Sequence, residues 1–223
     1  MSQFLQDINA FRMNLHAVNF DQTKNLLLLF RSLEHDLRKR IINLLGDNKL
    51  TVTEMFLKLK IEQSVASQHL SILKEVGIVR AERVGKNIFY SLIEGRLKEI
   101  NELSLIINDG LAPKNLMKHK TEPVNNLFAS LVQESKLDLS TQILRAFSHD
   151  FRLKLIDFIL SQPNPSVYTI YSSLGLEQSI TSQQLKILRE AQLVCTRREG
   201  KNIFYCVNNL LVQNIEKAIA TLA

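Results

Sequence analysis

The chain carries one ordered set of motifs twice. His35-Asp36-Leu37-Arg38 returns as His149-Asp150-Phe151-Arg152, and Glu62-Gln63-Ser64 returns as Glu177-Gln178-Ser179. Gly85-Lys86-Asn87-Ile88-Phe89-Tyr90 returns unbroken as Gly200-Lys201-Asn202-Ile203-Phe204-Tyr205. The offset is 114 residues for the first motif and 115 for the other two, so the copies differ by a single inserted residue. A unit repeated at a fixed period folds into the same structure each time, which implies two similar domains in one polypeptide with near-twofold symmetry. The length of 223 residues accommodates two domains of about 100 residues each.

Periodicity supplies the elements of the unit. Phe4, Ile8, Phe11, Leu15 and Val18 recur at helical spacing and predict an amphipathic N-terminal helix over 1–20. A helix follows from about Gln22 to Leu33, and another after His35-Asp36 stops near Gly46. Thr51-Val52-Thr53-Glu54 reads as a capping box that starts a short helix ending near Lys60. Ser64 to Glu75 forms the next helix, with Gly77 as its left-handed stop. Ile78 to Arg83 and Asn87 to Leu92 flank Gly85-Lys86 as a hairpin, and a helix closes the unit near Asp109.

The polar stretch 110–123, with Pro113 and Pro123, reads as a linker. The second copy repeats the plan: helices at Val124–Glu134, Leu139–Phe147 and Phe151–Leu160, a Ser166-capped helix, Ser179–Glu190, a hairpin from Cys195 to Cys206, and a closing helix. Gln192 stands where the first copy has Gly77, and a positive φ there costs about 1 kcal/mol. The expected fold is mainly α with small β wings. It comprises two tandem winged helix-turn-helix domains, over 21–109 and 124–223.

Bulk properties narrow the class. Lysine and arginine exceed aspartate and glutamate by 28 to 22, and the pI is near 9.3, which allows a polyanionic partner without proving one. The longest apolar run, Leu26 to Phe30, is far too short to span a bilayer, so no membrane role is expected. No secretory leader is visible from Met1 onward. The two cysteines lack a paired spacing, which argues for a reducing, cytoplasmic location and against a disulfide framework.

The run Leu50-Thr51-Val52-Thr53-Glu54, Gln63-Ser64-Val65-Ala66-Ser67-Gln68-His69-Leu70, Leu73-Lys74-Glu75-Val76-Gly77-Ile78-Val79, Arg83-Val84-Gly85-Lys86 and Tyr90-Ser91-Leu92 resembles the ArsR family of bacterial repressors. The second copy is similar at Gln178-Ser179, Ser182-Gln183-Gln184-Leu185, Leu188-Arg189-Glu190, Arg198-Glu199-Gly200-Lys201 and Tyr205. The resemblance implies a dimeric transcriptional repressor that binds imperfect palindromes on double-stranded DNA and releases them when an effector, here an unknown small molecule, binds. Family members usually carry one such unit per chain. With two fused, the units pair either within one chain, as an intrachain pseudo-dimer, or between chains, as a homodimer.

On the helix from Ser64, positions 64, 67, 68 and 71 share a polar face while Ala66, Leu70 and Leu73 share an apolar one. Ser179, Ser182, Gln183 and Lys186 split in the same way from Thr181, Leu185 and Leu188. Serine can bond phosphate or base edges, and glutamine can make a two-point contact with adenine. The candidate DNA-binding residues are therefore Gln63, Ser64, Ser67, Gln68, Ser71 and Lys74, with Gln178, Ser179, Ser182, Gln183 and Lys186 in the second copy. Lys86 and Lys201 at the hairpin tips, with Arg83 and Arg197-Arg198 beside them, suit the phosphate backbone or minor groove. Glu62 and Glu177 oppose this, because a carboxylate repels nearby phosphate while favouring the helix dipole.

The cysteines and histidines that the resemblance associates with metal sensing do not occur in Val52–Lys60, Ser166–Gly175 or the closing helices, so the expectation is no metal and no cofactor. A two-residue turn at Gly200-Lys201 places Cys195 across from Cys206, where a thiol switch or two small buried apolar residues are the alternatives. His35 and His149 sit at a repeated helix junction and suit capping or packing. His69 faces either DNA or the second core helix. No nucleophile–base set or phosphate loop points to an enzyme. A winged-helix module that binds another protein instead of DNA is the alternative function.

Overall fold

The structure, a computed structural model, describes residues 20–109, 111 and 127–222. The helix expected over 1–20 and nearly all of the linker expected over 110–123 lie outside the described residues.

Helix α1 (Phe20–Ser32) is followed by α2 (Asp36–Leu45), whose N-cap His35 accepts from the Leu37 amide through Nδ1 at 3.1 Å. Strand β1 (Leu50–Thr51) runs directly into α3 (Val52–Leu59). The capping box forms as expected: the Glu54 amide donates to Thr51 Oγ1 at 3.3 Å, and the Thr51 amide donates to Glu54 Oε2 at 2.7 Å. The Thr51 amide, and after it the Thr51 hydroxyl, which donates to Glu54 Oε2 at 2.8 Å, hold the Glu54 carboxyl below the usual carboxylate range. Lys60 takes a left-handed conformation that turns the chain into α4 (Gln63–Glu75). The hairpin β2 (Val79–Val84) and β3 (Asn87–Leu92) pairs Val84 with Asn87 at its tip and adds β1 on its far edge, giving the order β1-β3-β2. Helix α5 (Arg96–Asn108) follows.

Beyond residue 126 come α6 (Leu127–Leu131), α7 (Glu134–Phe147), α8 (Asp150–Ser161), α9 (Val167–Leu174), α10 (Gln178–Glu190), β4 (Val194–Glu199), β5 (Asn202–Val207) and α11 (Asn209–Leu222). Ser166 caps α9 by accepting from the Thr169 amide at 3.1 Å. Gly175 ends α9 at φ +63. An isolated bridge from Ser166 to Phe204 lies beside the hairpin much as β1 lies beside β3. The helices expected at Val124–Glu134 and Leu139–Phe147 are redrawn. The described part of the first is only α6, and the second begins five residues earlier, at Glu134. The break falls at Gln133, whose amide is taken by Asn101 Oδ1 at 2.9 Å while its carbonyl accepts from Lys136 and Leu137.

By their contacts the described residues divide into two compact units: Leu28–Leu105 with 127–139, and residues 20–27, 106–109, 111 and 140–222. In the first, Phe30, Leu33, Ile41, Ile42, Leu45, Met55, Leu70, Leu73 and Ile78 are fully buried. Within that unit the Phe128 amide also donates to Asn43 Oδ1 at 2.8 Å. In the other, Leu155, Ile156, Ile170, Leu185, Leu188, Leu193, Leu211 and Ile215 form the buried set. There Asn108 Nδ2 donates to Ser140 Oγ at 2.6 Å, and Asn214 Nδ2 donates to the Asp109 carbonyl at 2.9 Å. No described helix is long and apolar enough to cross a membrane.

Candidate nucleic-acid interface

Helix α4 stands out from α3 because its two faces differ completely in chemistry. Ala66, Leu70 and Leu73 are buried, and anchor it. Gln63, Ser64, Ser67, Gln68, Ser71 and Lys74 are all exposed. The N-cap Glu62 makes no capping bond; instead Ser64 Oγ donates to Glu62 Oε2 at 3.3 Å. No side-chain cap therefore takes the first-turn amides of α4.

Helix α10 repeats the division. Thr181, Leu185 and Leu188 are buried, with Thr181 Oγ1 bonded to the Glu177 carbonyl at 2.9 Å. Gln178, Ser179, Ser182, Gln183 and Lys186 are exposed. Lys186 Nζ lies 3.9 Å from Glu190 Oε1, a fully solvated pair that leaves the ammonium available.

The wings flank these helices within their own units. Arg83, Lys86, Arg197, Arg198 and Lys201 are all exposed. Arg83 Nε donates to the Gly85 carbonyl at 3.3 Å, and Arg198 Nε donates to the Gly200 carbonyl at 3.2 Å, so each basic side chain is folded toward its own turn. Gly85 and Gly200 take φ +61 and +59, which a β-carbon would disfavour. Arg197 Nη2 lies 2.8 Å from Glu199 Oε1. In the first hairpin Glu82 is likewise paired, with Lys49 Nζ at 2.8 Å, and each hairpin carries three basic residues and one acidic one.

Sequence reasoning missed the apolar tips. Val84 and Ile88 are 56% and 47% exposed, and Ile203 is 37% exposed. Their place in the strands next to the turn is the signal that could have marked them, since a two- or three-stranded sheet leaves one tip uncovered. It also missed Arg38 and Arg152, which reach from α2 and α8 to the middle of α4 and α10. His69 is settled as half-buried, its ring 4.5 Å from that of His35. His35 caps as expected, whereas His149 makes no capping bond.

Cys195 and Cys206 are direct cross-strand partners, as the turn length implied, and are joined in a disulfide. This corrects the argument against a disulfide framework. It also corrects the alternative of two buried apolar residues, because Cys195 is exposed on a sheet of only two strands. The equivalent pair in the first copy is Arg80 and Ser91, bonded through Arg80 Nε at 3.1 Å. Among the described residues no group of three or more histidine, cysteine or acidic side chains is placed to hold a metal.

A capped helix, a tight turn, a half-exposed second helix and a basic hairpin define a winged helix-turn-helix DNA-binding fold in the first half of the chain. A family model described as bacterial regulatory protein, arsR family, matches residues 35–81. The transcriptional activator HlyU of Vibrio cholerae is 33% identical over 91 residues, 41% of this chain and 83% of that protein. The biofilm growth-associated repressor of Agrobacterium fabrum is 36% identical over 75 residues, 34% of this chain and 64% of that protein. A solved structure of the Vibrio HlyU matches at 30% identity and a TM-score of 0.32, covering 37% of this chain and 89% of that one. The chain belongs to the ArsR family of bacterial regulatory proteins.

Proposed function

We propose that this chain is a sequence-specific transcriptional repressor that reads an imperfect inverted repeat with both α4 and α10. The second half, over 124–223, then acts as a second winged helix-turn-helix domain, and the wings at 85–86 and 200–201 lie against the DNA backbone. One observation supports this reading: two helices at equivalent places bury the same three positions, Ala66, Leu70 and Leu73 against Thr181, Leu185 and Leu188, and expose the same Gln-Ser and Ser-Gln pairs. Where those side chains differ, as His69 against Gln184 and Ser71 against Lys186, the half-sites are similar but unequal. Relatives include both a named activator and a named repressor, and repression is the direction that the motif resemblance favours. The two recognition helices are brought to one duplex by pairing of the units, either within one chain or between two chains.

The test is binding of the full chain to fragments of its source genome, followed across ionic strength. The expected result is a complex at low salt that weakens steeply as salt rises, because neutralised phosphates release counterions. Replacing Lys86 and Lys201 with glutamate should reduce the salt slope by about one for each phosphate that is no longer neutralised. The rival reading, a protein-binding module, draws on the exposed Leu57 and Tyr168, at 63% and 68%. It requires partner binding that survives both glutamate substitutions and no complex with DNA at any salt.

A further inference from the structure

Arg38 and Arg152 make the same three-way connection in the two copies. Arg38 donates from Nε to the Ser32 carbonyl and from Nη2 to the Arg31 carbonyl at 3.0 Å, both in the last turn of α1. Its remaining arm, Nη1, lies 3.4 Å from His69 Nδ1 in the middle of α4. Arg152 donates from Nε to the Ala146 carbonyl at 2.6 Å and from Nη2 to the Arg145 carbonyl at 2.8 Å, at the end of α7. Its Nη1 donates to Gln184 Oε1 at 3.0 Å, in the middle of α10.

The last carbonyls of a helix have no partner within it, and a guanidinium offers donors in a fixed planar fork. Two carbonyls therefore set the plane of each guanidinium, and the third arm then sets where the facing helix can sit. The residues next to its acceptors are Gln68 and Gln183, both exposed. A rotation of either helix about its own axis would carry that glutamine away from its target and break the arginine bond at the same time.

We propose that Arg38 and Arg152 are positioning residues that fix the angle at which α4 and α10 present Gln68 and Gln183 to DNA, and that the contact is pH-sensitive in the first copy alone. This rests on reading α4 and α10 as the DNA-contacting helices. Gln184 accepts from Arg152 at any pH. His69 accepts only while neutral with its proton on Nε2; a protonated ring carries no acceptor and faces the guanidinium with like charge. The charged and titratable groups facing it are His35, at the start of α2, and Arg38, with Arg31 and Glu34 acting in turn on Arg38. Burial first, then His35 and Arg38, lower the His69 pKa from 6.5. Because the value is lowered, the folded contact is intact at neutral pH and is broken as pH falls through the folded pKa, which lies below 6.5.

The experiment uses the full chain, a fluorescent duplex that the wild-type chain enriches from random-sequence DNA, and a scrambled duplex of equal length. Arg152→Met should weaken binding to the enriched duplex about tenfold, the scale of one mismatched base pair, with the scrambled duplex changed less than about twofold. Gln184→Met, which removes only the acceptor, should lower the same ratio and guards against a misfolded arginine variant. His69→Gln should keep wild-type affinity at neutral pH and flatten the loss that the wild type shows below 6.5. Equal loss on both duplexes would overturn the positioning role, and superimposed pH profiles for wild type and His69→Gln would overturn the pH sensitivity of the first copy. Failure of the wild type to enrich any sequence would instead remove the recognition reading, and this inference with it.

Discussion

Lys39 Nζ lies 2.8 Å from Glu134 Oε2 and 5.6 Å from the centroid of the Phe128 ring. The lysine belongs to α2 in the first copy, while both partners follow residue 126. Lys39 retains only 17% of its side-chain exposure, so the pair is less screened than a surface ion pair. A double-mutant cycle with Lys39→Met and Glu134→Gln should give a coupling of about 0.5–1 kcal/mol in denaturant unfolding. Strict additivity of the two losses would show that the pair is not formed in solution.

Helices α4 and α10 end differently. Gly77 adopts φ +70 with open space where a β-carbon would go, whereas Gln192 adopts φ +59 with a full side chain. Replacing Gln192 with glycine should raise stability by about 0.5–1 kcal/mol, since its carbonyl bond from Asn208 Nδ2 at 3.0 Å does not use the side chain. Gly77→Ala should cost a similar amount. Both are read from shifts in the urea midpoint at constant slope.

The Cys195–Cys206 bridge closes a short loop that contains the basic wing tip. Reduction should lower the thermal midpoint, with an upper bound of about 3 kcal/mol from loop-closure entropy. A Cys206→Ser variant should melt at the same temperature with or without reductant. An unchanged melt of the wild type on reduction would mean that the bridge contributes nothing to stability.

Glu216 in α11 has a buried carboxyl oxygen, Oε1, with no hydrogen-bond partner among the described residues. Burial pushes its pKa above 4.5. As pH rises past 4.5 the unfolded chain ionises first, so the group costs stability from there upward and nothing when both states are protonated. Glu216→Gln should therefore raise the thermal midpoint at neutral pH and leave it unchanged near pH 3. An equal gain at both pH values would show that charge is not the cause.

The parts of this structure that were readable from the sequence depend on local chemistry. Thr51 with Glu54 fixes a helix start, and Gly85-Lys86 and Gly200-Lys201 fix two-residue turns, from which the pairing of Cys195 with Cys206 follows. The polar and apolar faces of α4 and α10 follow from helical spacing alone. What was missed depends on chain segments distant in sequence. The break before α7 arises because Asn101, more than thirty residues away, takes the Gln133 amide. The reach of Arg152 to Gln184 requires the end of α7 and the middle of α10 to meet at one guanidinium. The exposure of Cys195 depends on a second sheet that stops at two strands, which no local pattern encodes.

Base preference after substitution in one helix at a time tests the two-helix reading most directly. Gln68→Ala and Gln183→Ala chains would each be used to select duplexes from random-sequence DNA. Each should relax preference at positions in one half-site only, leaving the other half-site as the wild type reads it, with half-site centres about one or two helical turns apart. Selection by Gln183→Ala that is indistinguishable from wild type, while Gln68→Ala loses its preference, would contradict a reading role for α10.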